Sequence, residues 1–122
     1  MKMTNLEIYN IAQGINEVFQ DTTQYLPIKV NFYIQKNKAL LTSLAQTIEM
    51  SRWDIIKNYG ELDTENERYI IPAEKMEEAQ KELSDLFSLE QEVEIYKVDI
   101  EKFPDDISLT TGQMEALMFM IN

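Results

Sequence analysis

The sequence contains no cysteine and no histidine among its 122 residues. The absence of cysteine excludes disulfides and thiolate chemistry, which fits a reducing compartment. The absence of histidine removes the most frequent general base, the most frequent transition-metal ligand and the side chain that titrates near neutral pH. Catalysis would have to depend on carboxylates, lysine or tyrosine, so we expect a protein without catalytic residues, metal or cofactor.

Glycine, proline and long apolar runs are also scarce. Three glycines and three prolines indicate neither a flexible linker nor a disordered tail, and Gly14, Gly60 and Gly112 lie too far apart to form a phosphate-binding loop. No apolar run reaches the roughly 18 residues of a membrane span, and the first residues lack the apolar stretch of a signal peptide. We expect one intracellular domain over residues 1–122 that does not bind membranes.

Acidic residues are abundant, and they are concentrated in one region. Residues 61–106 contain 16 Asp or Glu and five Lys or Arg, whereas residues 1–60 are near neutral, and the whole chain carries −11. A surface of one charge sign repels DNA and attracts basic grooves. The composition therefore argues against direct binding of nucleic acid and favours a protein partner with a basic groove.

Residues 1–60 have the periodicity of two helices. Thr4 and Glu7 match a capping box and predict a first helix from about residue 5 to residue 20, in which Gly14 indicates close approach of another backbone. A second helix of about 32 residues begins at Pro27 and ends at Gly60. Its residues 28–34 also alternate as a strand would, but a heptad pattern continues through them without a break.

The heptad pattern of the second helix contains two polar residues, Asn37 and Ser51. They either set the register with a partner helix or face water. The pattern leaves open a homodimer formed through the long helix. Its members are Val30, Ile34, Asn37, Leu41, Leu44, Ile48, Ser51 and Ile55.

The second half of the chain predicts mixed structure. Residues 61–71 have the pattern of a hairpin, a third helix runs from Pro72 to about Phe87, and residues 92–100 alternate as a strand with a phase change after Ile95. Residues 107–122 contain a last helix, in which we expect Met120 to be exposed. The predicted fold is α+β and mainly helical: a long antiparallel helical hairpin with flanking helices and a small antiparallel sheet.

The acidic region has two interpretations. Rows of carboxylates resemble the charge density of a nucleic-acid backbone, or they only keep the surface soluble. Asp63, Glu65 and Glu67 alternate like the opening of a calcium loop, but Arg68 stands where the loop needs glycine, so we predict no metal site. The candidate partner-binding residues are Glu61, Asp63, Glu65, Glu67, Glu74, Glu77, Glu78, Glu82 and Asp85.

Five short segments suggest a family: residues 25–30, the end of the second helix at residues 59–61, residues 93–98, residues 107–110 and residues 115–117. They resemble an uncharacterised family of small proteins encoded by phages and prophages of Gram-positive bacteria, the domain of unknown function 1617. The resemblance implies a phage setting but no catalytic or binding residues.

In such a setting we expect a non-enzymatic inhibitor of a host nucleic-acid-handling or defence complex. It would act in the cytoplasm of the infected bacterium as an anti-CRISPR-like DNA mimic. The alternative is a virion accessory or assembly protein that oligomerises through its long helix. Two further sets could form contact surfaces, although core packing explains them as well: the aromatic side chains of Trp53, Tyr59, Tyr69 and Tyr96, and the methionines Met114, Met118 and Met120.

Overall fold

The computed structural model describes residues 1–18, 27–102 and 111–122. It confirms the predicted fold class: the long helix α2 packs on α1 and α3, and two small antiparallel sheets accompany the helices. The helices are α1 (Asn5–Val18), α2 (Ile28–Tyr59), α3 (Ala73–Ser88) and α4 (Thr111–Leu117), and the strands are β1 (Lys2–Thr4), β2 (Glu61–Asp63), β3 (Arg68–Ile70) and β4 (Glu90–Glu92). Short 3-10 turns cover Ile100–Lys102 and Met118–Met120.

The first helix begins with the capping box that its sequence predicts. The Thr4 N–H donates to Glu7 Oε1 at 3.1 Å, and the Glu7 N–H donates to Thr4 Oγ1, also at 3.1 Å. These bonds satisfy two of the backbone donors that a helix start leaves without partners. The predicted end of α1, at residues 19 and 20, lies outside the described residues.

The two sheets differ in how well the sequence predicts them. The β2–β3 hairpin has the predicted position, with Leu62 opposite Tyr69 and a turn between the strands. The predicted strand at 92–100 is wrong in extent, because ladder pairing covers only Glu90–Glu92, where β4 pairs with β1. Strand β1 has no alternating pattern in the sequence, since three residues are too few to show one.

Helix α2 spans the predicted 32 residues and carries the core along one side. One buried cluster surrounds Val30 and Ile34, and a second surrounds Leu41 and Ile48. The heptad positions therefore pack inside this chain, which leaves them unavailable to a partner helix. Burial of this side stabilises α2 far more than its intrinsic helix propensity can.

Asn37 lies on α2 between the two clusters and is fully buried. Its Nδ2 donates to the Tyr96 carbonyl at 2.9 Å, and its Oδ1 accepts from the Tyr96 N–H at 2.9 Å. The side-chain amide thus replaces a neighbouring strand at the place where the sequence alternation changes phase. Both sequence-based interpretations of Asn37, a contact to a partner helix and exposure to water, are wrong.

Two glycines differ from expectation. Gly60 ends α2 as predicted, but its φ of −94° lies outside the left-handed region, and a Cβ there would meet the Ile56 carbonyl oxygen at 2.6 Å. Close approach to that carbonyl therefore requires glycine. A Cβ on Gly14 would meet no atom of the described residues within 4 Å, so among them the expected close approach to α1 is wrong.

The expected exposure of Met120 is wrong. Met120 is fully buried, whereas Met118 is 68% exposed. The chain tightens into a 3-10 turn after Leu117, and three residues per turn replace 3.6. This change of period rotates Met120 into the core, where its sulfur lies 3.5 Å from Asn37 Nδ2.

Candidate acidic interface

Helix α3 has one apolar side and one acidic side. Ala79 is fully buried, and Leu83, Leu86 and Phe87 are partly buried on the same side. At 100° per residue, the carboxylates spaced three and four apart fall within roughly 140° on the opposite side. We call this set the acidic face; its members, all exposed, are Glu74, Glu77, Glu78, Glu82 and Asp85.

The acidic face is dense and rigidly spaced. Glu74 and Asp85 are separated by about 16 Å along the axis at 1.5 Å per residue. Five carboxylates over this length give one charge about every 3–4 Å, close to the roughly 3.4 Å between phosphates along one DNA strand. Lys81 is the basic residue that falls within this arc.

The hairpin carries the other four predicted residues. Glu61, Glu65 and Glu67 are exposed, whereas Asp63 is partly buried. Glu67 has a φ of 51°, which places it in the left-handed region that the tight turn uses. The hairpin therefore presents three free carboxylates next to α3 along the chain.

Asp63 has a structural role that the sequence did not reveal. Its Oδ2 accepts from Asn66 Nδ2 at 2.8 Å, and its Oδ1 accepts from the Glu65 N–H at 3.1 Å. The hydrogen bond from Asn66, followed by the backbone bonds, lowers the pKa of Asp63. Asp63 also lies directly opposite Arg68 in the β2–β3 register.

Tyr59 connects the end of α2 to the acidic face. A hydrogen bond with Glu82 is the largest cause that raises the pKa of Tyr59, and the charges of Glu82 and Glu78 add to it. The phenol donates, because an ionised carboxylate only accepts. Tyr59 therefore lies close to Glu82, whose side chain stays exposed.

Ion pairs neutralise only part of the charge of the acidic region in the described residues. Lys2 Nζ lies 3.4 Å from Glu90, and the terminal amine of Met1 lies 3.3 Å from Glu92, so β1 partly neutralises β4. Across residues 1–18, 27–102 and 111–122, no ion pair involves any of the nine predicted residues. The charge of α3 and of the hairpin tip is therefore left for solvent or for a partner.

A polar cluster that the sequence analysis missed joins α1 to α2. Glu49 accepts from Arg52 Nη2 at 2.6 Å and from Arg52 Nε at 3.1 Å, and the Arg52 guanidinium lies 5.2 Å from the Trp53 ring centre. Arg52 is the largest cause that lowers the pKa of Glu49, and a hydrogen bond with Glu49 raises the pKa of Tyr9 on α1. The spacing of three residues between Glu49 and Arg52 on one helix could have predicted their ion pair. The contribution of Tyr9 could not be predicted, because Tyr9 is on another helix.

The described residues show no arrangement for metal chemistry and no membrane span. No group of three or more acidic side chains in them is placed to hold a metal ion. None of their helices combines the length and apolar character needed to cross a membrane. The four aromatic residues considered together in the sequence have separate neighbours: Trp53 contacts Arg52, Tyr59 lies near Glu82, Tyr69 lies opposite Leu62 in the hairpin, and Tyr96 packs on Tyr33 at 5.4 Å.

Neither a family model, a curated protein nor a solved structure matches this chain. The resemblance to a phage family stays a prediction. The geometry and charge of the acidic face are the features of the described residues that indicate a function.

Proposed function

We propose that this is a small, non-enzymatic, phage-encoded protein that inhibits a host nucleic-acid-handling or defence complex. It acts by placing the acidic face and the hairpin tip in a basic groove that normally holds nucleic acid. The observation that carries this proposal is the row of five exposed carboxylates on α3, opposite its apolar side and outside every ion pair of the described residues.

The fold supports such binding because the charges are held on a rigid element. Helix α3 is fixed by Ala79 and by the packing of Phe87 on Tyr9, whose rings meet edge to face at 5.8 Å. Because the helix backbone is already ordered, binding has to order only the exposed side chains of the charge row. Long-range attraction to a basic groove then accelerates association and makes it sensitive to salt.

The test uses purified nucleases and DNA-binding defence complexes, titrated with the protein at about 50 mM and about 200 mM salt. We expect affinity to fall roughly 10- to 100-fold over this range, because salt screens the charges that hold the complex. Duplex DNA should displace the protein, since both would occupy the same groove. Affinity that does not change with salt, or simultaneous binding of DNA, would contradict the proposal.

A pair of charge-matched variants localises the effect. The first removes the acidic face and should lose at least tenfold in affinity; the second removes five exposed acids elsewhere and should bind nearly as tightly as the wild type. Equal losses would show that only net charge matters. The first carries E74Q, E77Q, E78Q, E82Q and D85N, and the second carries E17Q, E94Q, D99N, E101Q and E115Q.

The second candidate function is a virion accessory or assembly protein. Exposed apolar side chains on α2, including Phe32 and Met50, favour it because they offer a contact surface that the chain itself does not cover. Cosedimentation with purified virions would support this function. If the protein is absent from virions and competes with DNA for a host complex, the inhibitor function is supported and the virion function is rejected.

A further inference from the structure

The side of α2 that faces away from the core carries a second regular pattern. Its positions recur at steps of three and four and fall within roughly 80° of one another at 100° per residue. The buried residues of α2 lie on the opposite side of the helix. We call this set the outer stripe; its members, all exposed, are Ile28, Phe32, Gln35, Ala39, Ser43, Gln46, Met50 and Trp53.

The large apolar members lie at the two ends of the outer stripe. Ile28 is 87% exposed and Phe32 is 55% exposed at one end, and Met50 is 69% exposed and Trp53 is 42% exposed at the other. Ala39 and Ser43, the small members, occupy the middle. This order, large then small then large, is unchanged when the helix is turned end to end about a point near residue 41.

We propose that the outer stripe is the interface of an antiparallel, two-fold symmetric homodimer. In this arrangement Ile28 of one copy packs on Trp53 of the other, and Phe32 packs on Met50. Ala39 meets Ser43 near the axis, where small side chains allow the helices to approach closely. A two-fold interface needs a surface that is complementary to itself, and the outer stripe has this property.

Charge supports the antiparallel direction. Lys29 and Asp54 are both exposed and flank the outer stripe on the same side. Antiparallel packing keeps this flank of both copies on one side of the interface, so Lys29 of each copy lies near Asp54 of the other. Parallel packing would put the two flanks on opposite sides and form neither contact, so the opposite charges favour the antiparallel pair.

The size of the outer stripe is sufficient for a specific interface. It is about 38 Å long at 1.5 Å per residue. Two copies would bury on the order of 600 Å² each, or about 1,200 Å² in total. This total exceeds the roughly 1,000 Å² that separates stable interfaces from incidental contacts. The proposal requires neither the phage setting nor the acidic face.

The first experiment measures the mass of the full-length protein by light scattering and sedimentation equilibrium over a range of concentrations. We expect twice the chain mass of 14.3 kDa. The dimer should tighten as salt rises, because each copy carries −11 and the repulsion between copies is screened. This salt response is opposite to that of the proposed inhibitor complex, so the two proposals can fail separately. A monomer at all concentrations, or a larger assembly, would overturn the dimer.

Matched variants connect the dimer to the outer stripe. The double variant F32E/M50E should weaken dimerisation at least tenfold while circular dichroism shows an intact helical fold. The control L62E/L89E alters two apolar side chains of similar exposure, 56% and 58%, away from the outer stripe. Equal mass distributions for the two variants would overturn the interface.

Cysteine cross-linking tests the direction, since the chain has no cysteine of its own. Gln35 and Gln46 face each other in the antiparallel pair. A mixture of the Q35C and Q46C proteins should form the mixed disulfide under mild oxidation. Preferential Q35C–Q35C and Q46C–Q46C products would show a parallel pair and reject the proposed geometry.

Discussion

At the scale of single residues, Asn37 shows how one polar side chain determines the path of a distant segment. Its amide donates to and accepts from the backbone of Tyr96, 59 residues further along the chain. A buried amide must find partners, and a peptide group that leaves a strand ladder must find them too. Each satisfies the other, so the Tyr96 peptide group needs no strand partner, and a strand-type bridge forms two residues further along, between Val98 and Ile121.

We expect Asn37→Leu to destabilise the protein by about 1–3 kcal/mol. The change keeps a similar volume but leaves the Tyr96 peptide group without its partners. Urea unfolding measures the difference. Asn58→Leu, at an exposed position on the same helix, serves as the control. Equal stability of the two variants would show that water replaces the amide at no cost.

At the scale of elements, local patterns explain where the helices begin and end. The capping box starts α1, and close packing of the Gly60 backbone on the Ile56 carbonyl ends α2. The glycine within α1 and the glycine that follows α2 differ in their surroundings. A Cβ would fit at Gly14, but it would collide with a backbone oxygen at Gly60. The same substitution should therefore have opposite effects at the two positions.

Gly14→Ala should stabilise the protein by up to about 1 kcal/mol, because alanine has the higher helix propensity and its Cβ enters open space. Gly60→Ala should destabilise it, because the added Cβ would lie 2.6 Å from a backbone oxygen. Thermal or urea unfolding of both variants and of the wild type measures the sign of each change in stability. A loss of stability in Gly14→Ala would indicate that α1 does need a glycine there.

The stability of the protein should depend on pH through Glu49, which pairs with Arg52 one turn further along α2. Its pKa is lowered, first by Arg52, so its contribution to stability is present above the ordinary carboxyl value and is lost as pH falls through the lower, folded value. The wild type should therefore lose more stability than Glu49→Gln between about pH 7 and about pH 2. Glu17→Gln, an exposed change on α1, should keep the wild-type profile. A Glu49→Gln profile identical to the wild type would rule out this contribution.

At the scale of the whole molecule, different sides of the fold carry side chains of different chemistry. The core side of α2 carries two apolar clusters, α3 presents carboxylates, and the outer stripe presents apolar side chains on another side. The charge of the acidic region is not uniform, since β1 neutralises part of β4 and the α3 carboxylates stay outside ion pairs in the described residues. The proposed acidic face and the proposed dimer interface are therefore separate surfaces of one small fold.

The sequence by itself determined the features that depend on neighbours within a few residues. These are the α1 cap, the extent of α2, the hairpin at β2–β3 and the acidic side of α3, because helical and strand periods place side chains locally. Tertiary structure alone decided the pairing of β1 with β4, the bond between Asn37 and Tyr96, the contact of Tyr9 with Glu49 and the burial of Met120. Each of these joins groups far apart in the chain, and their partners are selected by the need to satisfy buried polar groups and fill the core, which no local pattern encodes.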